Sequence, residues 1–382
     1  MNAPRIAALA LLAYVAGFPL SLPAAGFSSA STVFVILMEN HNWSSIKGSL
    51  DAPYINSLLP GASYAEQYYN PPGIHPSEPN YLWLEAGTSF GITNDALPAT
   101  NHQPTTSHFV TLLKNAGISW RTYQENITGT TCPTTNSYPY APKHNPFVFF
   151  DDIVSAGCTT VMRPFTELPN DLANNTLAHY NFITPNLIHD MHDSAPPLNN
   201  PVRQGDTWLS QNLPMILQSA AYKNNGLVLI TWDEGVNGDG PIGMIALSRL
   251  AKGGGYYNSI HYTHSSTLRT LQKIFGVTPL LGGAATAQDL SDLFLANAIP
   301  NADSEIQIRD VTRTSAGTTI TWQSQPGLVY RVQWKGDLLN PAAWRAITPD
   351  FIGNGRVLSW TDDGTQTGGL TAAQRFYRIV VP

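Results

Sequence analysis

Thr32-Val33-Phe34-Val35-Ile36-Leu37-Met38-Glu39-Asn40-His41-Asn42 is an apolar run that stops abruptly at a carboxylate, an amide and an imidazole. Its apolar residues show no alternation, which fits a strand covered on both faces, as in the parallel sheets of α/β proteins; pattern alone also admits a short buried helix. In open parallel sheets, ligands bind outside the carboxyl ends of the strands, so polar residues placed just after such a run stand where chemistry is done. The design recurs at Leu227-Val228-Leu229-Ile230-Thr231-Trp232-Asp233-Glu234-Gly235. Two buried strands would thus bring Glu39, Asn40, Asp233 and Glu234 to one rim of a sheet, a hard-oxygen set suited to a divalent cation.

A third segment of this kind is Tyr180-Asn181-Phe182-Ile183-Thr184, followed at a short distance by His189-Asp190-Met191-His192-Asp193. The His/Asp cluster reads either as a metal or phosphoryl site or as a solvated loop with capping aspartates. Helical patterns over Thr105–Ala116 and Asp206–Ser219, the latter with Asp206 as N-cap, alternate with the strands and give the α/β rhythm. The stretch Thr128–Pro146, rich in Thr, Pro and Tyr, reads as a surface excursion, with a substrate-facing lid as the alternative.

In Gly73-Ile74-His75-Pro76-Ser77-Glu78-Pro79-Asn80-Tyr81 the prolines forbid regular structure until a helix begins near Pro79. Ser77 at such a helix start meets free N–H groups and the positive end of the dipole, a fitting place for a nucleophile that attacks phosphorus. The plainer alternative is an N-cap serine. Tyr262-Thr263-His264 opens another helix, whose buried face is Leu268, Leu271, Ile274 and Phe275.

The chain of 382 residues is 43% hydrophobic, enough for a large α/β domain (31–300) and a smaller one (301–382). In the latter, period-2 segments such as Thr318–Trp322 and Leu328–Trp334 predict an antiparallel β-sandwich. Only 12% of residues are charged and the net charge is −6, which argues against a nucleic-acid-binding surface. Residues 1–30, with Arg5 before an apolar core and small residues at Ala24, Ala25 and Ala30, predict a secretory signal peptide cleaved between 24 and 30, and no transmembrane segment. The two cysteines, Cys132 and Cys158, are then expected to form a disulfide, the alternative being two buried thiols.

At Glu39-Asn40-His41, His75-Pro76-Ser77-Glu78-Pro79-Asn80-Tyr81 and Trp232-Asp233-Glu234-Gly235 the chain resembles the bacterial acid phosphatase and phospholipase C phosphoesterase family of the alkaline-phosphatase-like superfamily. The resemblance spans roughly residues 32 to 280 and places the nucleophile on Ser77, which the x-Pro-Asn segment follows, and not on Ser63 or Ser89. It implies a divalent metal held by Glu39, Asn40, Ser77, Asp233 and Glu234, with His75, His192 and His264 toward the phosphoryl oxygens and His189 competing with His192. There is no Cys-x-Pro-x-Arg stretch, so the chain does not resemble a sulfatase. The expected function is a secreted or periplasmic metal-dependent acid phosphatase, acting on phosphate monoesters through a phosphoserine. The alternatives are a phospholipase C-type phosphodiesterase and, from another class, a decayed enzyme that serves as a surface-binding protein. The C-terminal strands resemble fibronectin-type or immunoglobulin-like modules, for which envelope or carbohydrate contact is the expected role.

Overall fold

The computed structural model describes residues 30–236, 238, 240–296, 298–299, 308–324, 329–337, 344–354, 356–369 and 375–380. The expected leader, apart from Ala30, lies outside the described residues. Val33–Met38 and Leu227–Trp232 are strands in which every residue is buried, as unalternating apolar runs require. They pair in parallel at the centre of an eight-stranded sheet ordered Met162–Pro164, Trp120–Gln124, Tyr180–Thr184, Val33–Met38, Leu227–Trp232, Met244–Ser248, Ser63–Ala65, Tyr256–Asn258. Met244–Ser248 runs against both of its neighbours, and the other pairings are parallel.

The register decides where the chemistry falls. Met38 is opposite Trp232, so the next residue on each strand, Glu39 and Asp233, leaves the sheet at the same level. Asp233 N–H donates to Met38 O at 3.0 Å, and Glu39 N–H donates to Asp190 O at 2.7 Å, tying the loop after Tyr180–Thr184 to the same rim. The chain turns out of the first strand through Asn40, whose φ of +45° is a conformation that asparagine tolerates better than most residues. Gly235 closes the second exit: a Cβ there would fall 2.5 Å from Asn42 Oδ1 and 2.7 Å from Gly238 O.

Several local expectations shift. The helix expected over Thr105–Ala116 forms over Phe109–Asn115, with His108 at its N-cap. The helix expected from Asp206 starts earlier, at Pro201, and Asn200 caps it by accepting from Arg203 N–H. Asp206 lies inside that helix and accepts from Tyr54 and Ile55 N–H, so it serves the first turn of the neighbouring Pro53–Leu58 helix. The Thr128–Pro146 segment is no mere surface excursion, because Tyr140, Ala141, His144 and Asn145 at its end are buried. Its Cys132 is bonded to Cys158, the pairing expected from the sequence; the closure contributes about 3 kcal/mol in the chain-entropy picture.

A charge cluster centred on the buried His108 lies in the larger, α/β unit. His108 Nδ1 lies 2.8 Å from Glu85 Oε1 and Nε2 lies 3.0 Å from Asp152 Oδ1, while Phe150 stacks on the ring at 3.9 Å. Burial opposes the imidazolium, but the hydrogen bonds to Asp152 and Glu85 outweigh it and push the His108 pKa up to about 9. A folded-state pKa above the unfolded 6.5 means stability that is complete below pH 6.5 and lost as pH rises through about 9, here about 3 kcal/mol. Urea unfolding should therefore show His108→Gln about 3 kcal/mol less stable than wild type at pH 6, with the gap closing by pH 10. A gap independent of pH would rule out the imidazolium.

The chain divides into two compact units, one within Phe27–Phe275 with Pro279–Pro300, the other containing Asn301–Pro382. The second holds two antiparallel sheets, Ile308–Thr314, Gly317–Gln323 and Val357–Asp362, then Val329–Lys335 with Arg345–Ala346, Phe351–Ile352 and Phe376–Val380. Ile320 and Trp322 of one sheet and Tyr330, Val332 and Ile379 of the other share one core, which is what the period-2 alternation predicts. Among the described residues no helix is long and apolar enough to cross a membrane.

Candidate active site

Glu39 is fully buried where its strand ends, and its Oε2 accepts from Ser77 Oγ at 3.0 Å. Ser77 is the first residue of the helix Ser77–Ala86, after Pro76, which has no side chain to cap it. Asp95 supplies one cap instead, its Oδ1 accepting from Glu78 N–H at 3.0 Å. Next to Glu39, Asp233 is equally buried, and its Oδ1 accepts from Asn40 N–H at 2.9 Å. Glu234 turns the other way: its Oε2 receives Asn80 Nδ2 at 3.1 Å and lies 2.6 Å from His75 Nδ1. Asn40, His75, Glu234, Gly235, Val236 and Gly238 line an open cleft of about 470 Å³ beside this group.

Two residues outside the expected set complete the site. His144 stacks on Tyr81, rings 5.1 Å apart and 7° from parallel, and its Nδ1 lies 2.9 Å from Asp190 Oδ2. That contact assigns the Nδ1–H tautomer and aims the lone pair of Nε2 at the site. Lys143 Nζ lies 3.2 Å from Asp95 Oδ2 and 3.1 Å from His192 Nε2.

Burial raises the carboxyl pKa of Asp233 well above its ordinary range, and Glu39 beside it adds to the shift. Glu39, Asp190 and Glu234 are shifted upward too, each chiefly by burial. So many buried carboxyls with so little compensating charge form a poor arrangement unless a cation joins them.

The bare atoms point to where it would sit. His144 Nε2 lies 2.9 Å from Glu39 Oε1 but off the line of a hydrogen bond, leaving both without a hydrogen-bond partner among the described residues. Asp233 Oδ2 is bare in the same way. Donors about 2.1 Å from one octahedral ion stand about 3 Å apart, so converging bare atoms at this separation fit a divalent cation. Glu39, His144 and His192 also place one ligand atom each within 4.8 Å of one another.

Of the residues singled out in sequence, Glu39, Asn40, Ser77, Asp233, Glu234 and His75 are linked through the contacts above, and His192 comes within 4.8 Å of Glu39 and His144. His189 stands apart, 2.8 Å from Glu125 Oε2. His264 is buried, with Nε2 2.5 Å from the backbone oxygen of Asp233 and Nδ1 3.1 Å from Tyr68 Oη. Burial pushes its pKa down to about 4, against the bond to Asp233, so the ring is neutral and pins the strand end instead of facing a phosphoryl group. His144 and Lys143 escaped the sequence reading because no periodicity marks the Tyr- and Pro-rich segment; the one available signal was the Lys-His pair beside the buried run Phe147–Phe150.

The profile of the phosphoesterase family matches residues 49–278, well over half of the chain. The chain belongs to the phosphoesterase family. This phosphoesterase is 30% identical over 292 residues to the phosphatidylinositol-3-phosphatase of Mycobacterium tuberculosis, covering 76% of this chain and 91% of that protein. It is 30% identical over 223 residues to the phosphate-repressible acid phosphatase of Penicillium chrysogenum, covering 54% of this chain and 51% of the fungal one. Among solved structures it is similar to a Silicibacter pomeroyi phosphonate monoester hydrolase, with TM-score 0.46 and 11% identity over 90% of this chain and 91% of that one. The phosphoesterase is a hydrolase acting on phosphoric ester bonds.

Proposed function

We propose that this phosphoesterase is a secreted, metal-dependent phosphomonoesterase of the acid-phosphatase kind, working through a phosphoserine at Ser77. The observation that carries the reading is Ser77 Oγ at an open helix start, 3.0 Å from Glu39 Oε2, with the bare Glu39 Oε1 and Asp233 Oδ2 beside it. Glu39, Asp233 and Ser77, with Asn40, Glu234 and His144 around them, would hold a divalent ion. Such an ion, when bound, neutralises phosphoryl charge and lowers the pKa of the serine hydroxyl. Glu39 Oε2 orients the Ser77 hydroxyl and takes up its hydrogen bond. At the helix start Glu78 N–H is already given to Asp95 and Pro79 has none, so the Ser77 N–H is the backbone donor that would serve a phosphoryl oxygen. His75, paired with Glu234 at the cleft, would protonate the leaving oxygen. Water then hydrolyses the phosphoserine.

The names of the relatives, an inositol-lipid 3-phosphatase and acid phosphatases, support a monoester over a diester. The Cys132–Cys158 disulfide and the expected leader support an extracytoplasmic site. The test is hydrolysis of a chromogenic phosphate monoester beside its phosphocholine diester, before and after chelation. The expected result is turnover of the monoester, at least about 10-fold faster than of the diester, and lost on chelation. A diester preference would favour the phospholipase C-type reading, and inertness toward both would favour the binding protein.

A further inference from the structure

Lys143 is a cation set among acids, yet its ammonium does not close on the bare ones: among the described residues its ion-pair contact is with Asp95 Oδ2 at 3.2 Å. Of its three N–H groups, one meets Asp95 Oδ2 and one meets His192 Nε2; among the described residues the third has no protein partner. Asp95 is bound in turn to Glu78 N–H, the residue after Ser77, so this one carboxylate fastens the ammonium to the start of the nucleophile's helix.

His192 differs from His144 in a way that matters here. Its Nδ1 lies 2.7 Å from Asp193 Oδ1 and its Nε2 accepts a hydrogen bond from Lys143 Nζ at 3.1 Å, so neither ring nitrogen is bare. His144 Nε2, by contrast, is buried and bare. The group Glu39, His144 and His192 therefore has the separation of a metal site without three available ligands, and a fixed positive charge stands beside it.

We propose that Lys143, positioned by Asp95 and His192, is a ligand for the nonbridging phosphoryl oxygens. The inference rests on the reading of the site as a metal-dependent phosphatase centred on Ser77. It adds a phosphate-binding residue that none of the sequence motifs contains.

The test compares the full-length protein with Lys143→Met, Lys143→Arg and Asp95→Asn. The readouts are divalent metal per chain, affinity for inorganic phosphate by calorimetry, and kcat and KM on a phosphate monoester. Wild type should hold a divalent ion. Lys143→Met should keep that ion and its fold while phosphate affinity drops about 10- to 100-fold, the range for losing one charge-assisted hydrogen bond. Lys143→Arg should recover part of the affinity. Asp95→Asn, which leaves the charge but frees it, should shift affinity the same way by about 3- to 10-fold, and stands in if Lys143→Met does not fold. Unchanged phosphate affinity in a folded, metal-loaded and active Lys143→Met protein would overturn the role of Lys143 and leave the phosphatase reading intact. A wild type without metal and without monoesterase activity would overturn the functional reading, and the assignment of Lys143 with it.

Discussion

Ser77→Ala is expected to lower kcat/KM for a phosphate monoester by at least about 10³-fold, with metal content and folding kept. The size of the effect follows from the role: without Oγ no phosphoryl group can be accepted, and what remains is charge stabilisation by the surrounding groups. The substitution is structurally mild, because Pro76 and not Ser77 occupies the N-cap, and the side chain makes one hydrogen bond, to Glu39 Oε2. Losing that bond costs about 1 kcal/mol, far too little to unfold the unit. Steady-state kinetics beside a thermal melt separates the two effects. Activity within about tenfold of wild type would place the nucleophile elsewhere.

Asp233→Asn is expected to abolish tight metal binding while leaving the metal-free protein at least as stable as metal-free wild type. The signs follow from burial. Asp233 is fully buried beside the equally buried Glu39, so without a cation its charge is a liability that an amide removes. The amide Oδ1 can still accept from Asn40 N–H, and Nδ2 offers Glu39 a donor. Once a divalent ion is present the order reverses. At a metal concentration of 1,000 Kd wild type gains about 4 kcal/mol, or several degrees in Tm, and the variant gains none. Monoesterase activity of the variant should fall by at least about 10³-fold. Melts with and without added metal check both halves, and an equal metal-induced shift in the two proteins would remove Asp233 from the ligand set.

Much of the fold follows from two unalternating runs. Val33–Met38 and Leu227–Trp232 carry no polar residue before the strand ends apart from Thr231, so they fit only a position covered on both faces. Their register then does what the motif order implied, since Met38 opposite Trp232 sets Glu39 beside Asp233. The strands Gly317–Gln323, Val329–Lys335, Val357–Asp362 and Phe376–Val380 were legible for the opposite reason, an alternation that one buried face demands, whereas Ile308–Thr314, exposed along its length, and the two-residue strands Arg345–Ala346 and Phe351–Ile352 were not.

What escaped the sequence lies in segments whose conformation depends on distant partners. His144 is held by stacking on Tyr81 and by Asp190, which are 63 residues before and 46 after it in the chain, so no local pattern could place it. Lys143 depends likewise on Asp95 and His192. His264 and Asp206 show the converse. Each sits in a suggestive local context, yet one is spent on a backbone oxygen and the other on the first turn of a neighbouring helix.

The central claim is a covalent phosphoserine, and the stereochemistry at phosphorus tests it most directly. A monoester made chiral at phosphorus with oxygen isotopes would be hydrolysed or transferred to an acceptor alcohol by the metal-loaded enzyme. Attack by Ser77 followed by attack of water or alcohol is two in-line displacements, so the product should keep the configuration of the substrate. Inversion would mean a single displacement by water, and Ser77 would then be no nucleophile.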